Sequence, residues 1–387
     1  MTRGGGAPGS RSVVHVVTGL GTGGTERSLA TVVPALGRRG WSSMVVSLGG
    51  GGRFAAALED AGVRVVALGM PAGRPTPKGL STLLRTVRRI RPAIVQGWMY
   101  HGNLAATVAG SVVDAALIWN VRQSLGSPET ERPGTELVVR LGAHLSSRAI
   151  PIVYNSASAA GQHDAIGYDA GGRTSVPNGF DTATFRPDPA ARVRVRRDLG
   201  LPLEVPVAGC VARLHPVKDH AGLLEAFARV RHVRPDARLV LVGQGTDRLP
   251  GDLAALAGRC GGPGAVLGLG ERDDLPALHA AFDVAVLASR AEAFPNALGE
   301  AMACGVPCVA TAVGEVEALV GATGRVVPPG HPERFAGAWL DVIAEPPEAA
   351  RERSQAARRR IETCYDLDAA VARYDRLYSA ALDPRPG

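Results

Sequence analysis

Within the stretch from Ser289 to Thr311 stand two glutamates, Glu292 and Glu300, separated by seven residues. Pro295 and Asn296 lie between them, where a helix is expected to begin after Val284 to Ala288, an apolar run suited to a buried parallel strand. A helix start leaves backbone amides without intrahelical partners and carries roughly half a positive charge. The N–H groups around Asn296, Ala297 and Leu298 therefore suit a phosphate. Carboxylates repel phosphate but accept hydrogen bonds from hydroxyls. At about 1.5 Å of rise per residue, the two carboxylates flank that helix start within roughly 10 Å of each other. A nucleotide sugar has this layout, with sugar hydroxyls, a diphosphate and ribose hydroxyls in turn. The same spacing fits two glutamates that merely face a helix dipole, so the chemistry needs cations from another part of the chain.

Arg213 and Lys218 supply them. They flank a strand-to-helix turn, Ala212-Arg-Leu-His-Pro-Val-Lys-Asp219, that follows a strand expected at Val205 to Val211. The chain has 43 Lys and Arg, of which only Lys78 and Lys218 are lysines, so arginine is the default cation here. A lysine at 218 suggests a need for a compact ammonium rather than a planar fork. Two cations at such a turn can hold a diphosphate as negative charge builds on it during bond cleavage. A pair of solvated surface charges is the plainer reading of the same residues.

The elements that must position these residues repeat in a βαβ rhythm. Val13-Val-His-Val-Val17 reads as a strand, followed by the Gly-rich turn Thr18 to Arg27 and a helical pattern through Leu29, Val32, Val33 and Leu36. Further strands are expected at Val63 to Leu68, Ala93 to Gln96, Ala116 to Asn120 and Ala149 to Tyr154. In the second half, Val240 to Gly245 and Leu267 to Pro276 read as strand-plus-loop units opening on the same edge as Arg213 and Glu292. The glycines at 19, 21, 23 and 24 do not fit the dinucleotide fingerprint G-x-G-x-x-G, and no acidic residue closes the second strand convincingly. A nicotinamide cofactor is not expected.

Composition sets the frame. A chain of 387 residues is too long for one ordinary core and suits two α/β domains, and 49 glycines fit many tight strand-to-helix turns. No apolar run approaches the roughly 20 residues that span a bilayer. Residues 1–11 read as a flexible, Gly-rich tail without an apolar signal region. The five cysteines show no C-x-x-C spacing, which points to a reduced, cytoplasmic enzyme without structural zinc. Residues 1–178 carry 18 Arg and Lys against 9 Asp and Glu, so the excess positive charge lies in the first half. There, Lys78 to Arg91 sets Leu80, Leu83, Leu84, Val87 and Ile90 on one helical face, with Arg85, Arg88, Arg89 and Arg91 around it. Such a helix suits an anionic membrane surface, or else covers a sheet with a solvated basic side. The only D-x-D, Asp366-Leu-Asp368, falls in an expected terminal helix, Asp366 to Ala381, so no metal is expected to bridge a diphosphate.

The motifs together resemble the retaining GT-B glycosyltransferases of the large fourth sequence family. That family shows an E-G-F-P-N or E-S-F-G start, a second Glu seven residues further on and an A-x-G-x-P-V-V turn, and here Ala293 replaces the small Gly or Ser. Arg213 to Lys218 resembles its G-R-L-x-x-x-K-G, with Ala212 and Asp219 in place of the two glycines. Val176 to Pro187 resembles the V-P-N-G-x-D-x-x-x-F-x-P that closes the first domain. Thr18 to Arg27 resembles the T-G-L-x-x-G-G-A-E-R opening, and Gln96 to Asn103 resembles Q-x-W-M-Y-H-x-N.

The resemblance implies two Rossmann-like domains with parallel sheets facing a central cleft, an acceptor-side domain at 12–182, a nucleotide-sugar domain at 183–365, and a helix at 366–387 crossing back to the first. It implies transfer of a hexosyl unit from a nucleoside diphosphate sugar, with a UDP-sugar favoured over GDP-mannose. Transfer would proceed without a metal or other cofactor, with no nucleic acid as partner, and toward a glycan, glycolipid or polyprenyl-linked acceptor at the inner membrane face in cell-surface polysaccharide synthesis. The catalytic candidates are Arg213, Lys218, Glu292 and His101. Gly23, Gly24, Gly243, Arg272, Phe294, Pro295, Asn296, Ala297, Leu298 and Glu300 are the donor-binding ones. Glu292 and the Phe294 backbone would hold the sugar, Glu300 the ribose, and Arg272 and its neighbours the base. Three rival readings share the architecture: a nucleotide-sugar 2-epimerase, a transferase with a small-molecule acceptor, and a non-catalytic subunit that only binds a sugar nucleotide.

Overall fold

A computed structural model describes residues 11–125, 134–262 and 264–383, so the tail expected at residues 1–10 lies outside the described part. Arg11, counted in that tail, is tied down: its guanidinium lies 3.0 Å from Asp375 and stacks 5.1 Å from the Trp41 ring centroid. The chain divides into two compact units, Met1–Gly179 with Leu367–Gly387, and Phe180–Asp366.

The first unit holds a seven-stranded sheet made of β1 (Ser12–Val17), β2 (Ser42–Ser47), β3 (Arg64–Ala67), β4 (Ile94–Trp98), β5 (Ala116–Val121), β6 (Ile152–Tyr154) and β7 (Arg173–Ser175). Its order is β3-β2-β1-β4-β5-β6-β7, parallel throughout. Strands in such a sheet are covered on both faces, which is why β1 and β4 are buried along nearly their whole length instead of at every second residue. Val13 packs with Val32, Leu36, Ile94 and Ile118 on one face, while Val14 and Val16 pack with Leu83, Val87 and Val95 in a separate cluster. Burial in β1 pushes the His15 imidazole down to about 3, and its Nδ1 accepts from Trp98 Nε1 at 3.2 Å.

The terminal helix Leu367–Leu382 belongs to this unit and buries Leu367, Val371, Tyr374 and Tyr378 in its core. Tyr374 Oη accepts from Asn120 Nδ2 at 2.8 Å, and Tyr378 Oη donates to Gln96 Oε1. The helix starts one residue after Asp366, so the D-x-D is split: Asp366 pairs in a short β-bridge with Phe180, and Asp368 sits in the first turn.

The basic segment at 78–91 is the helix Pro77–Ile90, capped by the Thr76 hydroxyl. Leu83 and Val87, at the centre of the apolar face, are fully buried in the first unit's core, while Leu80 at the helix start is exposed. What the helix shows to solvent is its basic side, with Lys78, Arg85, Arg88, Arg89 and Arg91 exposed.

The second unit repeats the plan with β8 (Val207–Val211), β9 (Arg238–Val242), β10 (Val266–Gly268), β11 (Val284–Leu287), β12 (Cys308–Thr311) and β13 (Arg325–Val327). The order is β10-β9-β8-β11-β12-β13, again all parallel. One core runs through the unit, with Phe227 stacked on Trp339 at 5.4 Å between the helices His220–Val233 and Pro332–Ile343. All five cysteines are free, four of them buried and Cys364 exposed.

Candidate active site

Each sheet has one place where neighbouring strands are made at different times and the chain winds away on both sides. In the second unit that place lies between β8 and β11. Loops leaving the carboxyl ends of such a pair diverge and leave a crevice, which is where ligands bind in open parallel sheets. The loop after β8 carries Arg213 and Lys218, and the loop after β11 carries Glu292.

The two loops meet there. Lys218 Nζ lies 2.5 Å from Glu292 Oε1, with the two side chains 22% and 9% exposed. The same carboxylate oxygen accepts from Ser289 Oγ at 2.6 Å. Ser289 is itself fixed, because its carbonyl accepts from Thr311 Oγ1 at 2.5 Å. Arg213 is exposed on the same loop as Lys218.

The turn at 216–218 ends at Asp219, a residue with φ of +45° where the family has glycine. Aspartate tolerates this left-handed conformation better than most residues. Here it also caps the next helix, its Oδ1 accepting from Gly222 N at 3.2 Å, and its Oδ2 lies 3.1 Å from Arg290 Nε. Arg290 N in turn donates to Val217 O at 2.7 Å, so the β8 and β11 loops are stitched through backbone as well as charge. Beside the pair, burial pushes the His220 imidazole down to about 4, helped by the Lys218 charge and opposed by Asp219.

The helix after the Glu292 loop is Asn296–Ala303, with Pro295 as its N-cap rather than its first residue. Proline offers no side-chain acceptor there, so the N-cap residue makes no side-chain hydrogen bond to the first turn. Leu298 N reaches only back to Pro295 O, at 3.2 Å. Phe294 is buried, 6.2 Å from Phe180 and 5.7 Å from Tyr365 by ring centroid, and so anchors the loop from below. Glu300 projects from the helix into a nearly closed environment, 4% exposed, with Oε2 at 3.7 Å from His279 Nε2.

Neighbouring loops close in on this edge. Gly243 follows β9 with φ of +137°, and a Cβ there would lie 2.4 Å from Ala212 O and 2.8 Å from Arg213 N. Only glycine lets the β9 loop pass so close to the β8 loop. Gly314, after β12, has φ of +55°, and its Cβ would meet Glu292 O at 2.1 Å. Glu315 N donates to Ala293 O at 3.1 Å across the same contact. Arg272, expected with its neighbours to border a base through backbone contacts and stacking, holds Asp274 with two hydrogen bonds of 2.8 and 2.7 Å, which lowers the Asp274 carboxyl and raises the guanidinium.

The first unit has its own switch point, between β1 and β4. Gly23 caps and Gly24 opens the helix Gly24–Gly37 after β1, and both are exposed. His101 stands in the first turn of Met99–Gly110 after β4, half-buried. Met99 enters that helix at φ of +64°, and a Cβ on Gly102 would lie 2.6 Å from Val16 O, so the turn carrying His101 presses against β1.

Each unit therefore gathers its candidates at the carboxyl edge of its own sheet. Among the described residues no three His, Cys, Asp or Glu side chains are grouped as metal ligands would be. Sequence reasoning had missed Ser289, Gly314, His279 and the Asp219–Arg290 pair. Ser289 carries a local signal, standing one short loop before Glu292, whereas the others depend on contacts between distant segments.

A family model described as Glycosyl transferases group 1 matches residues 205–345, and one described as Glycosyltransferase Family 4 matches residues 22–184. The chain belongs to this glycosyltransferase family. Within it, the chain is similar to a D-inositol 3-phosphate glycosyltransferase of Xylanimonas cellulosilytica, 33% identical over 54% of this chain and 52% of the relative. It is also similar to a GDP-mannose-dependent alpha-(1-6)-phosphatidylinositol monomannoside mannosyltransferase of Mycolicibacterium smegmatis, 35% identical over 45% of this chain and 48% of the relative. The chain thus spans about half the length of these glycosyltransferases. In fold it is similar to Anabaena HepE, crystallised with UDP-glucose, at a TM-score of 0.82 and 23% identity over 95% of this chain and 99% of that one. The two parallel-sheet, Rossmann-like units expected of this glycosyltransferase family are those observed.

Proposed function

We propose that the protein transfers a hexosyl unit from a nucleoside diphosphate sugar with the anomeric configuration retained. The observation that carries this reading is the Lys218–Glu292 pair at the β8/β11 switch point, beside a helix start with no side-chain cap. Lys218 and Arg213 meet the charge of the departing diphosphate, and the amides of Asn296, Ala297 and Leu298 add their dipoles. Glu292 and the Phe294 backbone hold the sugar, Glu300 holds ribose, and the loops of Gly243 and Arg272 border the nucleoside. In the first unit, Gly23 and Gly24 offer backbone and His101 a ring nitrogen at the carboxyl edge of that unit's own sheet.

Glu292 already carries Lys218 and Ser289, which makes it a poor nucleophile. The reaction then proceeds on one face of the sugar. The bond from the anomeric carbon to the phosphate oxygen breaks, the acceptor oxygen bonds to that carbon, and its proton passes to the leaving diphosphate. No metal is needed to bridge the phosphates.

The relatives' names include GDP-mannose and the solved neighbour holds UDP-glucose, so the donor base is a matter for experiment. Their names also carry inositol 3-phosphate and phosphatidylinositol, and residues 1–178 hold 18 basic against 9 acidic side chains. A phosphate-bearing acceptor at an anionic membrane face, in the synthesis of a cell-surface glycan or glycolipid, fits both.

Thermal shift against UDP, GDP and dTDP identifies the base, since a ligand at a hundred times its Kd raises Tm by roughly 5–10 °C for a unit of this size. The matching sugar donors are then incubated with inositol 3-phosphate, and the product linkage is read by NMR coupling. An inverted product, or activity abolished by EDTA and restored by a divalent cation, refutes the mechanism. Binding of a donor that is never hydrolysed or transferred refutes the function.

A further inference from the structure

His279 lies in the helix Leu275–Ala281, 1% exposed, and among the described residues neither ring nitrogen has a hydrogen-bond partner. Buried polar groups are nearly always satisfied, so a ring with two bare nitrogens in a core calls for a reason. Packing is part of it: Phe185 and Phe282 lie edge-on at 6.1 and 5.9 Å from the imidazole. A phenyl ring would serve that purpose better. What distinguishes an imidazole here is its neighbour, Glu300 Oε2, 3.7 Å from Nε2 and just beyond hydrogen-bond range.

The two residues come from the helices that follow β10 and β11. Cys304 Sγ, one turn beyond Glu300, reaches Pro276 O at 3.9 Å, so the same two helices also touch beside the pair. A carboxylate on a flexible side chain must be held in one rotamer to select hydroxyls, and a donor fixed by two aromatic rings does this at short range.

We propose that His279 is a positioning residue for Glu300, its Nε2–H closing onto Oε2 when nucleotide binds and leaving Oε1 to accept from the ribose hydroxyls. The inference rests on the ribose role proposed above for Glu300. His279 itself does not touch the nucleotide. It makes ribose recognition a property of two helices rather than of Glu300 alone.

The test compares binding of the preferred nucleoside diphosphate with its 2′,3′-dideoxy counterpart by calorimetry. Wild type should favour the ribose form by about tenfold or more. His279→Phe should bring that ratio close to one while affinity for the dideoxy form stays unchanged. His279→Gln, which keeps a donor at a similar reach, should restore most of the ratio, and His279→Asn, which is too short, should not. A residue that only packs would lower Tm and affect both nucleotides alike. If His279→Phe and His279→Asn keep the wild-type ratio, the positioning role is wrong while the ribose role of Glu300 survives. If wild type does not distinguish the two nucleotides, the ribose role fails first and the inference falls with it.

Discussion

Replacing Lys218 by alanine removes an ammonium that lies 2.5 Å from Glu292 Oε1 and leaves that carboxylate, 9% exposed, with the Ser289 hydroxyl at 2.6 Å. Two effects should follow and can be separated. Stability should fall by about 2–3 kcal/mol, below the ~3–5 of a fully buried pair because Lys218 is 22% exposed. Turnover should fall further, because the same ammonium stabilises charge that develops only in the transition state: kcat/KM should drop by about 10²–10³, or roughly 3–4 kcal/mol.

The double variant Lys218→Ala/Glu292→Ala should regain stability, since no charge is left unpaired, and should regain no activity. Lys218→Arg should keep most of the stability and still lose activity by more than about tenfold, because a planar fork cannot replace a compact ammonium on a single oxygen. Initial rates across a donor series, with Tm measured on the same samples, test all three. A folded Lys218→Ala enzyme that keeps kcat/KM within about threefold of wild type would falsify the assignment of Lys218 to the leaving group.

Other predictions concern the loops, the histidines and the basic helix. Gly314→Ala places a Cβ 2.1 Å from Glu292 O at a φ of +55°, and should cost more than about 2 kcal/mol and raise the donor KM about tenfold. Gly337→Ala, in the helix Pro332–Ile343 with nothing within 4 Å, should instead stabilise by about 0.5–1 kcal/mol; equal effects of the two on Tm would refute the steric argument. Burial lowers His15 to about 3 and His220 to about 4, so below about pH 6.5 the unfolded chain binds protons that the native protein does not. Stability is therefore complete above pH 6.5 and falls toward pH 4, by up to about 2.7 kcal/mol per pH unit for the two together. Urea titrations should show the slope near pH 5 lessened in His15→Phe, and a stability flat from pH 7 to 5 contradicts the argument. Neutralising Arg85, Arg88 and Arg89 to glutamine should weaken cosedimentation with anionic vesicles by roughly 3 kcal/mol at low salt. Because Leu83 and Val87 are in the core, wild-type binding should vanish at high salt, and binding that persists there would mean insertion through another surface.

What could be read from the residues and what could not divide along a physical line. The apolar runs at 13–17 and 284–288 announce buried parallel strands because no alternation is needed where both faces are covered. β7 and β13 have three residues each, too few for a pattern, and are held in place by their neighbours. The candidate site divides in the same way. The helix start at Asn296 and the loop holding Arg213 and Lys218 are local, set by proline, glycine and strand ends. The partner of each side chain is not local: Glu300 finds His279 across 21 positions, and Lys218 finds Glu292 across 74. Lys218 joins the two levels. As one of two lysines it stood out in the sequence, and the structure supplies the reason for its type. Its Nζ meets the one carboxylate oxygen, Oε1, that Ser289 Oγ also reaches, a point that a compact ammonium satisfies alone, whereas a guanidinium fork directs two parallel donors at two acceptors.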